Sequence, residues 1–315
     1  SRAPHDLGAA WSWEPGIVIG LVTAAVLFAR GMTRLRRRSG ARRRARRHQA
    51  AAFWMGWTAL AVALCSPLHR LGKSLLSAHM AQHELLMVVA APLLVLGRSL
   101  VVDLVGKQWW WEIRYRDADP TKVFVTANEL HIPVGRRVEL RLTSTDVIHS
   151  FWVPELQGKT DLIPGRENVT WIQADRPGVY GGRCAEYCGI QHATMGLLVV
   201  AQPPAEYENW TAGQRRTASE PHDSMASLGR AAFLGSACAF CHAVRGTPAG
   251  GNAGPDLTHV ASRRTLAAAL LPNSAGHLGG WIANPQALKP GSRMPTVPLS
   301  REEFRRIHHY LLTLE

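Results

Sequence analysis

At Trp109 the chain changes its hydrophobic period, and no single layer architecture accommodates both halves. Before it lie three apolar runs, Gly16 to Ala29, Ala51 to Cys65 and Ala78 to Leu96. After it, Lys122-Val-Phe-Val-Thr-Ala-Asn-Glu-Leu, Arg137-Val-Glu-Leu-Arg-Leu-Thr and Asn168-Val-Thr-Trp-Ile-Gln-Ala alternate with the period of two that a half-buried strand shows. The 315 residues, 46% hydrophobic and 19% charged, carry enough apolar material for several domains and exclude a disordered chain. The formal net charge of +13 would suit nucleic acid, but nine arginines crowd between Arg34 and Arg47 with apolar runs on both sides. That is how a cytoplasmic loop between membrane helices reads, so nucleic acid is not an expected partner and membrane lipid is.

The expected boundaries follow. Residues 1–105 form an α-helical membrane region. Residues 106–201 form an all-β sandwich or barrel, since short strands are punctuated there by Gly, Pro and Asp. Residues 202–224, opening on Pro203-Pro204, read as a linker with one short helix near Ala205 to Trp210. Residues 225–315 are all-α, with helices expected over Met225 to Ala237, Arg264 to Leu271 and Ser300 to Leu314. In the last of these, Ser300 and Glu303 are spaced as a capping box.

Five cysteines are too few for a disulfide framework, and four fall in two tight pairs. The first pair lies in Cys184-Ala-Glu-Tyr-Cys188-Gly-Ile-Gln-His192-Ala-Thr-Met195. Thiolate, imidazole and thioether donors in one loop suit copper, whereas zinc seldom takes a thioether. One more imidazole would complete the set, and His149, in Val-Ile-His-Ser-Phe-Trp-Val-Pro154, is the candidate. The second pair, Cys238-Ala-Phe-Cys241-His242, is the C-x-x-C-H spacing of covalent haem attachment, although a zinc site uses the same residue types.

Together with Gly158-Lys-Thr-Asp-Leu-Ile-Pro-Gly-Arg166 and Arg176-Pro-Gly-Val-Tyr, the copper string resembles subunit II of haem-copper cytochrome c oxidases over residues 106–200. The resemblance implies a cupredoxin-like Greek-key barrel with a dinuclear copper A centre. Cys184 and Cys188 would bridge both coppers, His149 and Met195 complete one, and His192 with the backbone carbonyl of Glu186 the other. It further implies a magnesium at the subunit I interface through the Glu186 carboxylate, and electron entry at Trp109, in Gln108-Trp-Trp-Trp-Glu112. A plain alternative for these tryptophans is an interfacial aromatic belt.

Around the haem motif, Gly254-Pro-Asp-Leu-Thr-His259 and Gly291-Ser-Arg-Met294-Pro295 make residues 225–315 resemble a class I cytochrome c domain. His242 would be the proximal ligand and Met294 the sixth, with His259, His277 and His308 as rivals. The order copper domain, linker, cytochrome c is that of oxidases whose subunit II carries its own haem. The implied role is electron transfer from haem c to copper A and on to subunit I, for oxygen reduction coupled to proton pumping. The implied partners are the other oxidase subunits and a cytochrome c or quinol-cytochrome c reductase donor. The implied location is the bacterial cell membrane, multi-pass, with copper and haem domains on the periplasmic or extracellular side.

The N-terminal third departs from this pattern. Ser77-Ala-His-Met-Ala-Gln-His83-Glu, the arginine cluster and Phe53-Trp-Met-Gly-Trp resemble the CtaG-family assembly factors of cytochrome c oxidase. That resemblance supports a rival reading, a copper-delivery protein; a nitric oxide reductase with a copper A subunit shares the ligands as well. His79 and His83, four apart, would share a helix face and could take a metal. Cys65 reads as a small buried hydrophobe. Two full spans after a cytoplasmic arginine loop would return the chain to the cytoplasm. Ala78 to Leu96, with its histidines, Glu84 and Pro92, is therefore expected to be re-entrant or covered by a partner, unless the junction near Val105 is not natural.

Overall fold

The computed structural model describes residue 11 and residues 13–38, 43–72, 75–91, 93 and 100–315. The chain divides into two compact units, Ser1–Ser99 and Leu100–Glu315.

The first unit is helical: α1 Pro15–Arg38, α2 Arg43–Cys65, α3 Pro67–Gly72 and α4 Leu76–Glu84, continued by a π-helical turn Leu85–Ala90. The arginine cluster expected in a loop is carried largely on the end of α1 and the start of α2, because arginine is a good helix former. α2 stops at Ser66-Pro67 as the sequence suggests, and Cys65 is buried. Phe28 and Phe53 stack at 3.5 Å, and the Trp57 indole donates to the Leu21 carbonyl at 3.0 Å, tying α1 to α2. Among the described residues no helix is long and apolar enough to cross a membrane. Part of the Ala78 to Leu96 run, residues 92 and 94–96, lies outside the described residues.

The second unit opens with ten strands: β1 Leu100–Lys107, β2 Trp110–Tyr115, β3 Phe124–Ala127, β4 Glu129–Pro133, β5 Val138–Ser144, β6 His149–Val153, β7 Gln157–Leu162, β8 Asn168–Ile172, β9 Gly178–Cys184 and β10 Gly196–Gln202. They form two five-stranded sheets, β3-β2-β1-β5-β8 and β4-β10-β9-β6-β7. This is the expected cupredoxin-like β domain, but it begins at Leu100, ahead of the boundary expected at residue 106. Leu100-Val-Val-Asp-Leu-Val prolongs the preceding apolar run in composition, yet Val102 and Leu104 point into the core while Asp103 binds Arg116 at 2.7 Å. The core between the sheets is built on Leu104, Trp111, Ile113, Leu140, Phe151 and Leu197, all fully buried. Asn128 interrupts the expected Lys122 to Leu130 strand with φ 62, a left-handed turn that asparagine tolerates.

The expected linker is half structure. α5 Pro204–Gln214 exceeds the predicted short helix and lies against β4 and β10, with Trp210 stacked on His131 at 3.9 Å. The helical region then has α6 Ser224–Gly235, the single-turn α7 Cys238–Cys241, α8 Ala275–Ala283, α9 Pro285–Leu288 and α10 Arg301–Leu312. The Ser300–Glu303 capping box is present, and Phe233 of α6 meets Tyr310 of α10. The helix expected over Arg264 to Leu271 is absent. In its place is a two-stranded ribbon, β11 Thr265–Leu266 and β12 Leu271–Pro272, turned by Ala267, Ala268 and Ala269 with φ of 56, 63 and 58. A left-handed conformation costs roughly 1–2 kcal/mol per non-glycine residue, so tertiary contacts must override a run of strong helix formers.

Candidate metal centre and haem site

Hydrogen bonding brings β6 and β9 side by side, with Phe151 opposite Cys184, so His149 at the start of one strand meets Cys184 at the end of the other. The β9–β10 loop then carries Cys188, His192 and Met195 back over the same spot. The Cys184 and Cys188 sulfurs are 3.8 Å apart and unbonded. His149 Nδ1 lies 3.9 Å from Cys184 Sγ, while His192 Nδ1 and Met195 Sδ lie 3.7 and 3.8 Å from Cys188 Sγ. The Glu186 carbonyl oxygen is 3.2 Å from Cys184 Sγ. All six expected copper donors therefore converge. His149 and Met195 are fully buried, and His192 sits at the surface edge beside the exposed Tyr187. The Glu186 carboxylate points elsewhere, 3.4 Å from Lys159 Nζ.

Electrostatics suit a cation held by soft donors. The Cys188 thiol, hydrogen-bonded to Cys184, holds the Cys184 thiol far below its ordinary range against the cost of burial, and His149 adds to the effect. The same hydrogen bond with Cys184, together with burial and then the charge on Cys184, in turn pushes Cys188 up. Burial lowers His149, but its contacts with Cys184 and Asp146 outweigh this and raise it. Asp146, which the sequence reading missed, lies 2.8 Å from His149 Nε2 and so turns Nδ1 toward the thiolates, as a partner behind a metal ligand does. Its own signal was its place three residues before His149. Gly106 is required opposite: a Cβ there would lie 2.7 Å from the His149 ring. The donor set of two thiolates, two imidazoles, a thioether and a carbonyl fits copper and is a poor zinc site.

Trp109 stands directly on this centre. Its indole donates to the Cys188 carbonyl at 3.0 Å, and Gln108 Nε2 donates to the same oxygen at 2.7 Å.

In the helical region Cys238 and Cys241 bracket α7, and neither forms a disulfide. His242 Nδ1 donates to the Pro255 carbonyl at 2.7 Å, leaving Nε2 as the nitrogen for an iron, and burial lowers the ring, favouring its neutral form. Gly254 packs so closely that a Cβ would lie 2.5 Å from the ring. These residues fit a c-type haem. The rival histidines are engaged otherwise: His259 with the backbone carbonyls of Glu315 and Arg216, His277 with Ser274, and His308 with the Ala275 carbonyl. Met294 is half-buried, its carbonyl held by Gln286 Nε2 at 2.7 Å. In the N-terminal unit His79 and His83 are exposed, their Nε2 atoms 3.0 Å apart.

The two candidate sites also touch through their loops. Lys289, only 3% exposed, donates to the Trp109, Thr194 and Ala267 carbonyls at 3.3, 3.0 and 2.9 Å. Burial draws its ammonium down to about 8, which leaves it charged at neutral pH. Glu129, also 3% exposed, accepts from the Arg264 and Thr265 amides at 3.1 and 2.8 Å. Neither residue was distinguishable in the sequence from an ordinary surface charge.

Residues 120–202 match the family described as cytochrome c oxidase subunit II, periplasmic domain; residues 226–315 match cytochrome c; and residues 26–126 match the cytochrome c oxidase caa3 assembly factor. A cytochrome c oxidase subunit 2 of Alkalihalophilus pseudofirmus is 39% identical over 69% of this chain and 62% of its own length. The subunit 2 of Bacillus sp. strain PS3 is 31% identical over 69% of this chain and 63% of its own. The chain thus spans less than two thirds of these relatives. The crystal structure of the periplasmic domain of subunit II of cytochrome oxidase of Bradyrhizobium japonicum is 31% identical over 37% of this chain and 93% of that one, with a TM-score of 0.35. The matches bear out the resemblance read from the sequence: a subunit II with a fused cytochrome c domain, behind a segment like the CtaG assembly factors.

Proposed function

We propose that this chain is the electron-delivering subunit of a haem-copper terminal oxidase. When bound, the haem and the dinuclear copper would supply one-electron transfer, from haem c to copper A and on to an oxygen-reducing, proton-pumping subunit I. The convergence of all six copper donors, with the two cysteines unbonded, carries the reading. Cys184 and Cys188, with His149, His192, Met195 and the Glu186 carbonyl, would hold the coppers. Ligands fixed between two strand ends change little in geometry when charge changes, which is what electron transfer asks of a protein. Cys238 and Cys241 would hold the porphyrin, and His242 and Met294 its iron. A histidine–methionine pair raises the haem potential relative to two histidines. Trp109, hydrogen-bonded to the Cys188 carbonyl, would be the electron entry to the copper centre.

The Glu186 carboxylate would reach a magnesium shared with subunit I only by giving up Lys159. The helical unit would lie in or on the bacterial cell membrane, with exposed Trp11, Trp13, Leu27 and Val88 toward lipid or other oxidase subunits. The copper and haem domains would face the periplasmic or extracellular side, receiving electrons from a cytochrome c or its reductase. A copper-delivery role, suggested by the N-terminal segment, requires ligands that release metal, and a six-donor set with both cysteines, His149 and Met195 buried argues against it. A nitric oxide reductase would share this site, and an oxygen electrode on the purified complex separates the two.

Metal analysis of the full chain should find two coppers with a mixed-valence spectrum and one covalent haem. Zinc, or a single blue copper, would overturn the proposal.

A further inference from the structure

Two buried charges of opposite sign cross the boundary between the β domain and the helical region, and each is hydrogen-bonded by the other region's backbone. Glu129, on β4, accepts from two amides and the Thr265 hydroxyl. Lys289, from the helical region, donates to Trp109 and Thr194 on the copper side and to Ala267 on its own. The left-handed turn Ala267–Ala269 lies between these contacts, and its Ala268 carbonyl takes the Gly196 amide at 3.1 Å, next to Met195. The loop from Lys289 to Arg293, leading into Met294, meets the copper loop again where Gln191 donates to the Pro290 carbonyl, and meets the β1–β2 turn where Arg293 donates to Gln108. Lys107 closes the far side on the Asn252 carbonyl at 3.1 Å. A buried charge away from its partners is costly, so contacts of this kind select one orientation over a range of loose ones.

We propose that Glu129 and Lys289 lock the haem-bearing region over the copper loop in one fixed orientation, making residues 100–315 a single rigid relay rather than a tethered carrier. The proposal rests on the function proposed above for the two metals. With both groups bound, an electron given up at the haem held by His242 would be taken up at the copper pair held by Cys184 and Cys188, with no bond broken and no domain released. Trp109, whose main-chain carbonyl Lys289 holds, would then lie between this chain's own haem region and the copper loop.

The test uses the full metal-loaded chain and two variants, Lys289→Met and Glu129→Gln, followed by hydrogen exchange and by flash-induced electron transfer. Each variant should exchange the Gly196 amide at least tenfold faster while β5 stays protected. Haem-to-copper transfer should slow at least tenfold with both absorption spectra unchanged, and reduction of the copper centre by a small soluble reductant should keep its rate. Should Lys289→Met lose β5 protection, Glu129→Gln, which keeps shape and an acceptor, decides the matter. Unchanged exchange at Gly196 in both variants, or an unchanged transfer rate where exchange has risen, overturns the proposal. Copper or haem missing from the unaltered chain would count against the function instead, and exchange at Gly196 would still decide the docking.

Discussion

His131 shows how a single buried side chain ties stability to pH. Burial, aided by Arg264, pushes its imidazole down to about 4 despite the hydrogen bond to Gln202. The unfolded chain therefore binds the proton first. The contribution of a neutral His131 is fully present above about pH 6.5 and is lost as the pH falls toward about 4, a difference of about 3 kcal/mol. Denaturant unfolding of the protein and of His131→Gln should show this part of the acid destabilisation only in the former. Met294→Ala should remove the thioether-to-iron charge-transfer band while the haem stays attached through Cys238 and Cys241; a surviving band would transfer the sixth position to a histidine. The residues proposed for copper and haem were legible because their chemistry lies in residue type and spacing. Glu129 and Lys289 were not, since what marks them is burial and a partner far along the chain, and Asp146 left only its place three residues before His149.

Helix α10 and the ribbon of β11 and β12 mark the two limits of local signals. In α10, Ser300 and Glu303 satisfy one another's backbone donors, and the structure repeats what their spacing predicted. Ser300→Ala should cost about 1 kcal/mol, read as a lowered midpoint in thermal unfolding, with Ser300→Asp recovering most of it. In Arg264 to Leu271 an equally clear helical composition is overruled, because the amides of Arg264 and Thr265 go to Glu129 and the carbonyls of Ala267 and Ala268 go to Lys289 and Gly196. Propensity is worth less than about 1 kcal/mol per residue, and buried charge outweighs it. The left-handed turn follows from its neighbours and not from its own residues.

At the scale of the whole molecule, β1 decides where the second unit begins. It is the middle strand of its sheet, antiparallel to β2 and parallel to β5, and it ends at Gly106 and Lys107, beside His149 and Asn252. A protein begun at Leu100 should unfold cooperatively and bind copper. One begun at Gly106 should do neither, as circular dichroism and metal analysis would show. The apolar stretch that the sequence offered as the tail of the helical region is thus the keel of the β domain. Any scheme that exchanges or excises modules here has its safe seam upstream of Leu100; a cut only six residues later would split a sheet down its centre and take the wall behind His149 with it.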